Sequence, residues 1–473
     1  MSISRTSFLS VKIGPLTRLR LKTVPWSHRI NTIYRSDVPP ESRGDLSILR
    51  RGLGSLYTLP RGRVPQGNIR ILAVASLLTG TYVSMLNATL QQFTLSLGLG
   101  VASLGLLQGL GNRIGGLSGS LVQPFAGRLA DVYGRRVVLM GGSLVSISSM
   151  ISFLVAALTH LPLLLVPGYL FFGLSLLSSP ASQALAAESV DMEPKKMAVA
   201  FSTVYFFNSM PGAVMAFAAG LIADLLGYYL IFALAIGLES ANLLLYLTSI
   251  KESKRTSPRV DFRISIRSLK ELIIPPKGLE AFFATFAVDA FAFSITGWII
   301  YGMFVKEFSY SNRDIGLIVG TLSIALVLAQ YPSTTLLLRF GPKASIAVAE
   351  FMSIITLVLW EFSRSLPYFV LASVFLAVSS TSWLPALQSM LMNLAPPKER
   401  GSLGGRLAAF RGIVAFPASI IGGFLFDTFG YDLPIAVSLS GMILAMIMII
   451  KFLPSEGSQE HRTVVGTGQR NRQ

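Results

Sequence analysis

The chain has 473 residues, of which 52% are hydrophobic and 13% charged, with a formal net charge of +17. That is too little polar surface to cover a water-soluble body of this size, so the composition calls for lipid as the solvent. Cysteine is absent, which excludes disulfides, thiolate chemistry and cysteine-based metal sites. His28, His160 and His461 lie too far apart in sequence to suggest a metal cluster, and no cofactor is expected.

Only helices and closed barrels satisfy their own backbone in a bilayer. The apolar stretches here run for about twenty residues instead of alternating, so they predict helices. Residues 1–68 form a basic N-terminal tail with few apolar runs, expected to be disordered. It could lie on anionic lipid, act as an organelle transit peptide, or reflect an over-extended gene start. Helices are then predicted over 70–97, 102–127, 136–158, 162–187, 197–222 and 228–250. A basic polar linker follows at 251–278. Six more helices are predicted over 279–304, 314–338, 344–362, 366–395, 402–425 and 430–453, and the polar tail occupies 454–473. The expectation is an all-α integral membrane protein of 12 transmembrane helices in two six-helix bundles, residues 69–250 and 279–453.

The basic residues support this map. With the N-terminus placed inside, 35 of the 40 lysines and arginines fall in cytoplasmic segments. Lys306, Arg313 and Arg364 alone fall outside, and Arg113 and Arg411 lie within helices. Such asymmetry is the signature of positive-inside topology, and it accounts for the net charge without nucleic acid as a partner. Both termini are therefore expected in the cytoplasm, on a multi-pass protein of the cell membrane. The chain also repeats itself. Pro194, Lys195, Gly220, Asp224, Gly227 and Tyr228 recur as Pro397, Lys398, Gly423, Asp427, Gly430 and Tyr431 at a constant spacing of 203 residues. Pro180 and Gln183 recur as Pro385 and Gln388. Repeated halves place a substrate site near the midplane between them.

The junction after the second predicted helix reads Gly127-Arg128-Leu129-Ala130-Asp131-Val132-Tyr133-Gly134-Arg135-Arg136. It resembles the signature of the major facilitator superfamily. A degraded copy, Leu338-Arg339-Phe340-Gly341-Pro342-Lys343, follows the eighth helix and lacks the aspartate. The resemblance covers roughly residues 69–453. It implies alternating access by two rocking bundles, with the first, fourth, seventh and tenth helices lining the cavity. It further implies that Gly127, Asp131, Gly134, Arg135 and Arg136 form a conformational latch. There Gly127 would allow close helix approach, and Asp131 would meet the positive end of the eleventh helix near Ser402.

Charges within the membrane are the next candidates, since each costs roughly 2.5–3.5 kcal/mol on insertion scales. Asp289 in the seventh helix shares a face with Thr285, Ala292 and Thr296. It suits a proton or cationic-substrate site, or else a salt bridge to an arginine across the halves. Glu239 lies in the sixth helix, which the resemblance makes peripheral, and Glu350 sits nearer one end of the ninth. Arg113 and Arg411 could hold an anionic substrate by bidentate hydrogen bonds, or neutralise Asp289 and Glu239. In the first helix Gly80, Ser84, Asn87, Gln91 and Thr94 form a polar stripe, suited to substrate hydrogen bonds or to helix–helix contact. Tyr169, Gln183, Trp383 and Gln388 are weaker candidates.

Subfamily patterns are missing. Tyr169 to Gly173 lacks the arginine of proton-driven drug exporters, Met210-Pro211-Gly212 departs from their fifth-helix glycine pattern, and the linker opening at Lys251 lacks the sugar-porter sequence. No phosphate-binding lysine loop and no paired catalytic groups occur, so the chain is not expected to be an enzyme. The expected function is secondary active transport of a small organic solute by a monomer, coupled to protons or another ion, with export slightly favoured. Uptake of an organic anion is the rival reading. A membrane sensor on a transporter scaffold is the reading from another class.

Overall fold

The computed structural model describes residues 67–113, 115–190, 194–252, 274–394 and 400–453. The tails expected at 1–68 and 454–473 lie outside them, apart from residues 67 and 68, as does most of the predicted linker. Every regular element among the described residues is helical, and ten segments are long and apolar enough to cross a membrane. In chain order these elements are α1 (Asn68–Ser96), α2 (Val101–Gly111), α3 (Leu117–Tyr133), α4 (Arg135–Thr159), α5 (Leu165–Leu174), α6 (Ser178–Glu188), α7 (Pro194–Ser209), α8 (Gly212–Leu226) and α9 (Tyr228–Thr248). The C-terminal segment holds α10 (Glu280–Thr296), α11 (Ile300–Phe308), α12 (Asn312–Phe362), α13 (Leu366–Leu394), α14 (Arg400–Phe429) and α15 (Asp432–Phe452).

Several boundaries depart from the predicted ones. The helix expected over 102–127 is broken between α2 and α3, where Asn112 adopts extended backbone. Gly111, the last residue of α2, lies directly against the Tyr169 backbone, where a Cβ would fall 1.8 Å from the carbonyl oxygen. The seventh predicted helix is likewise interrupted between α10 and α11. In the opposite direction, the helices expected over 314–338 and 344–362 run together in the 51-residue α12, with Gly341 as its one non-helical residue. Gly341 (φ 77°) and Gly134 (φ 96°) occupy matching places in the two copies of the junction motif. Gly227 and Gly430, 203 residues apart, share a φ of 86°. At these turns a side chain would be strained, so the repeated glycines have a conformational basis.

The two ends of the molecule differ in how its segments meet. At the arginine-poor end one apolar core draws on both: Leu95, Val101, Leu104 and Ala216 pack with Phe304, Ile315, Trp360 and Tyr431. Phe304 stacks on Phe369 at 4.2 Å between ring centroids, a contact worth about 0.5–1.5 kcal/mol beyond burial. At the arginine-rich end there are two separate cores. Leu72, Val138, Leu185 and Tyr246 belong to the N-terminal segment, and Phe283, Ile346, Met390 and Leu407 to the C-terminal one.

Helix α14 packs along α2, α3 and α10, and α12 packs on α13 and across to α8. The α2–α14 contact needs glycine: a Cβ on Gly105 would fall 2.0 Å from the Ser419 carbonyl oxygen. Ser419 Oγ in turn donates to the Gly105 carbonyl at 2.8 Å. Replacing Gly105 with valine is expected to part the two segments here and leave each internally folded, since overpacking of about 1–3 kcal/mol is relieved by separating this seam. The chain has no cysteine, so spin labels on cysteines introduced at Ser96 and Glu307 report the separation cleanly. A lengthened distance with unchanged helical circular dichroism is the expected result; lost helicity at an unchanged distance would refute it.

Candidate functional site

Four helices of the C-terminal segment bring one charged cluster together. Asp289 comes from α10, Glu350 from α12, Trp383 from α13 and Arg411 from α14. Arg411 Nη2 stands 3.5 Å from Asp289 Oδ2, and its guanidinium lies over the Trp383 ring at 4.3 Å from the centroid. Glu350 is 1% exposed and lies within the electrostatic reach of Asp289, Arg411 and the Trp383 indole. Phe286 meets Trp383 edge-on at 5.8 Å, so the wall around the charges is aromatic. The charged partner of Asp289 therefore comes from its own segment, not from across the halves. Other members of its predicted face are occupied elsewhere: Thr296 donates to Ser438 Oγ at 3.0 Å, and the Ala292 carbonyl accepts from Ser438 at 2.7 Å. That part of the face is packed against α15.

Arg113 is not mid-helix; it sits in the break between α2 and α3 and turns into the N-terminal segment. Its Nη1 donates to Tyr82 Oη at 3.1 Å, and Tyr82 Oη pairs with Ser146 Oγ at 3.1 Å. Glu239 is buried nearby on α9, accepts from Asn242 Nδ2 at 3.0 Å, and feels the Arg113 charge. Asn242 also reaches Thr79 Oγ1 at 2.9 Å. The two arginines thus serve two separate acidic neighbourhoods, one in each segment. Sequence position alone gave no indication of this, because the helix break at Asn112 that redirects Arg113 was not expected.

The polar stripe of α1 divides by role. Gln91 is a bridge: its Nε2 donates to the Trp298 carbonyl at 3.0 Å and its Oε1 accepts from Gly302 N at 2.8 Å. It clamps the interruption between α10 and α11. Thr94 pairs with Tyr169 Oη at 2.8 Å. Asn87 is exposed between fully buried Leu86 and Ala88, and it alone of these three keeps a free-standing amide.

The junction motif forms a clasp at the arginine-rich end. Asp131 meets Arg135 Nη1 at 2.5 Å, and Arg135 Nη2 meets Glu188 at 2.9 Å. Glu252 accepts from the backbone N–H groups of Arg135 at 2.7 Å and Arg136 at 3.1 Å, capping α4 at its positive end. Arg136 donates through Nε to the Tyr246 carbonyl at 3.0 Å and through Nη2 to that of Leu247. Asp131 is thus turned to Arg135, four residues on across the Gly134 turn, and is 56% exposed. The close approach expected at Gly127 is also absent, as a Cβ there would meet nothing within 4 Å. Approach occurs instead at Gly412, where a Cβ would lie 2.2 Å from Ser120, and at Gly405, 3.3 Å from Pro124.

Sequence reading missed the role of the repeated aspartates at the other end. Asp224, at the end of α8, accepts from the backbone N–H groups of Asn312 at 3.3 Å and Arg313 at 3.0 Å, and from Asn312 Nδ2 at 2.7 Å. Asp427, at the end of α14, accepts from those of Val101 at 3.1 Å and Ala102 at 2.8 Å. Each carboxylate therefore caps the first turn of a helix in the other segment, α12 or α2. The signal that could have found them was the constant 203-residue spacing combined with acidic residues opposite helix starts.

The model of the Major Facilitator Superfamily matches residues 72–305 and 281–470. The chain belongs to this superfamily, and is a secondary transporter, not an enzyme. It is 26% identical over 311 residues to the class C tetracycline resistance protein of Escherichia coli, covering 64% of this chain and 75% of that one. It is 24% identical over 386 residues to the multidrug resistance protein MdtG of Salmonella arizonae, covering 80% and 93%. Among solved structures, a mutant form of the nucleoside transporter NupG superposes with a TM-score of 0.66 at 12% identity, covering 82% of this chain and all of that one. That last likeness speaks to the fold alone.

Proposed function

We propose that the chain exports an amphipathic small molecule across the cell membrane in exchange for protons, with Asp289 as the coupling carboxylate. The observation that carries this reading is a buried carboxylate and its arginine, drawn from α10 and α14 and walled by Trp383 and Phe286. A charge in such surroundings is expensive and is retained where it does chemistry. The efflux functions named for the tetracycline and multidrug resistance relatives favour export. Uptake of an organic anion would need Arg411 free, whereas Asp289 occupies it.

The topology in this reading has twelve crossings in two six-helix bundles, residues 69–250 and 279–453. The pair α2 and α3 counts as one crossing, and α12 as two about Gly341. Both termini are cytoplasmic, the arginine-rich end faces the cytoplasm, and the protein acts as a monomer in lipid. The joint core at the arginine-poor end then closes the outer side, and the chain is inward-facing. In the outward-facing state Asp131 exchanges Arg135 for the start of α14, so the motif is a latch that is unfastened here.

The test of transport is reconstitution in liposomes with an imposed pH gradient and a panel of labelled amphipathic solutes. Flux that follows the gradient supports the reading; flux indifferent to it removes proton coupling. Asp131→Asn is expected to slow the cycle several-fold without lowering the amount of folded protein, because an exposed pair adds only about 0–1 kcal/mol of stability. Undiminished initial rates in that variant would remove the latch.

A further inference from the structure

Among the described residues, eleven buried side-chain polar atoms have no hydrogen-bond partner, and five of them converge in one place: Asp289 Oδ2, both carboxylate oxygens of Glu350, Trp383 Nε1 and Arg411 Nε. Folded proteins leave few such atoms, so this concentration calls for a physical cause. Charge counting supplies one. Two carboxylates and one guanidinium leave the cluster with one negative charge in excess if both acids are ionised. Arg411 is committed to Asp289 at 3.5 Å, and that contact is an ion pair without the geometry of a hydrogen bond, since Asp289 Oδ2 still lacks a donor. Glu350 has neither a donor nor exposure to water to support a charge. Like charges buried side by side do not both ionise.

A single proton resolves the arrangement. Placed on Glu350, it turns an acceptor without a donor into a donor beside the Asp289 carboxylate, whose Oδ2 is an acceptor without a donor. The remaining Glu350 oxygen is then available to the Trp383 indole N–H, whose nitrogen also lacks a partner. The cluster becomes electrically neutral, as its burial requires.

We propose that Asp289 and Glu350 hold one proton between them, resident on Glu350 in this conformation with Arg411 as counter-cation, and that this shared proton is the one the transport cycle exchanges. The groups that face it are Asp289 from α10, Trp383 from α13 and Arg411 from α14. The last part of the inference rests on the coupling proposed above. Glu350 thereby becomes a second proton-carrying residue of the transporter, on a helix separate from that of Asp289.

Infrared difference spectroscopy of the purified full chain in lipid nanodiscs tests this without knowledge of the substrate. The signal is the C=O stretch of a protonated carboxylic acid, identified by its shift in heavy water. Glu350→Gln is expected to lose one such proton per chain. Asp289→Asn is expected to lose it too, because a lone Glu350 beside Arg411 ionises and pairs with it. Arg411→Gln is expected to keep it. Glu239→Gln removes any contribution from the other buried acid and should leave the difference between wild type and Glu350→Gln unchanged. Circular dichroism and gel filtration establish that each variant is folded, and Glu350→Asp supplies a second variant in which the signal should persist. An undiminished signal in Glu350→Gln overturns the proposal; a signal that survives Asp289→Asn overturns the sharing. If the spectra behave as expected but liposome flux ignores the pH gradient, the shared proton stands and the coupling reading fails.

Discussion

Asp289→Asn is expected to reduce proton-driven flux by about tenfold or more, equivalent to at least ~1.4 kcal/mol on the rate-limiting barrier, while leaving the protein folded. The asparagine keeps the shape of the side chain and removes its capacity to carry a charge. Taking one partner from a buried ion pair ordinarily costs about 3–5 kcal/mol, because the other charge is stranded. Here Glu350 already feels the Arg411 charge and is expected to take over the pairing, so the thermal unfolding temperature should change little. Exchange of labelled for unlabelled solute, which needs no net proton movement, should survive better than flux driven by the gradient. Equal proton-driven rates in wild type and variant would rule Asp289 out as the coupling group.

The second large effect concerns the two aspartates that cap helices across the arginine-poor end, the outer one in the proposed topology. Each accepts from two successive backbone N–H groups at the start of a helix in the opposite half. A carboxylate at such a site gains from both the hydrogen bonds and the helix dipole, in favourable geometries up to about 2 kcal/mol. An asparagine in its place still accepts a bond but brings no charge, so a loss of about 1 kcal/mol at each site is reasonable. The Asp224→Asn, Asp427→Asn double variant should therefore shift the balance toward the outward-open form by about 2 kcal/mol, or roughly thirtyfold. Labels at Ser96 and Glu307 should show the longer distance gaining population, each single variant giving part of the shift. A distance distribution identical to wild type would mean that these caps do not hold the outer side shut.

How much of this was legible beforehand depends on range. The helical character, the membrane as solvent and the family motif all rest on local pattern: apolar runs, arginine placement and the residues from Gly127 to Arg136. The repeat at 203 residues marked Asp224 and Asp427 as special without showing what they touch. The charged cluster was legible only in part. Asp289 and Arg411 stood out as lone charges in apolar helices, yet their pairing, and the nearness of Glu350, arise from packing of α10, α12 and α14 that no local pattern encodes. Gln91 shows the same limit. Its place in a polar stripe suggested a solute contact or a helix–helix contact, and only the fold shows that its amide bridges the Trp298 carbonyl and the Gly302 N–H across the interruption. Arg113 was misplaced because the residues around it read as a continuous small-residue helix, whereas the backbone turns to an extended conformation at Asn112.

Helix α14 carries Arg411 and Asp427 on a single rod, sixteen positions apart, or about 24 Å at the helical rise. Its C-terminal end is moored to the start of α2, and its middle is held beside Asp289 at 3.5 Å. The helix is therefore a lever that links the cap at the arginine-poor end to the buried charge cluster. If α14 swings by about 10° around its mooring, simple geometry over that length carries Arg411 through roughly 4 Å, more than the span of its present ion pair. Loosening the outer cap and re-apportioning charge at the buried acids would then be one motion, so that neither event could run ahead of the other.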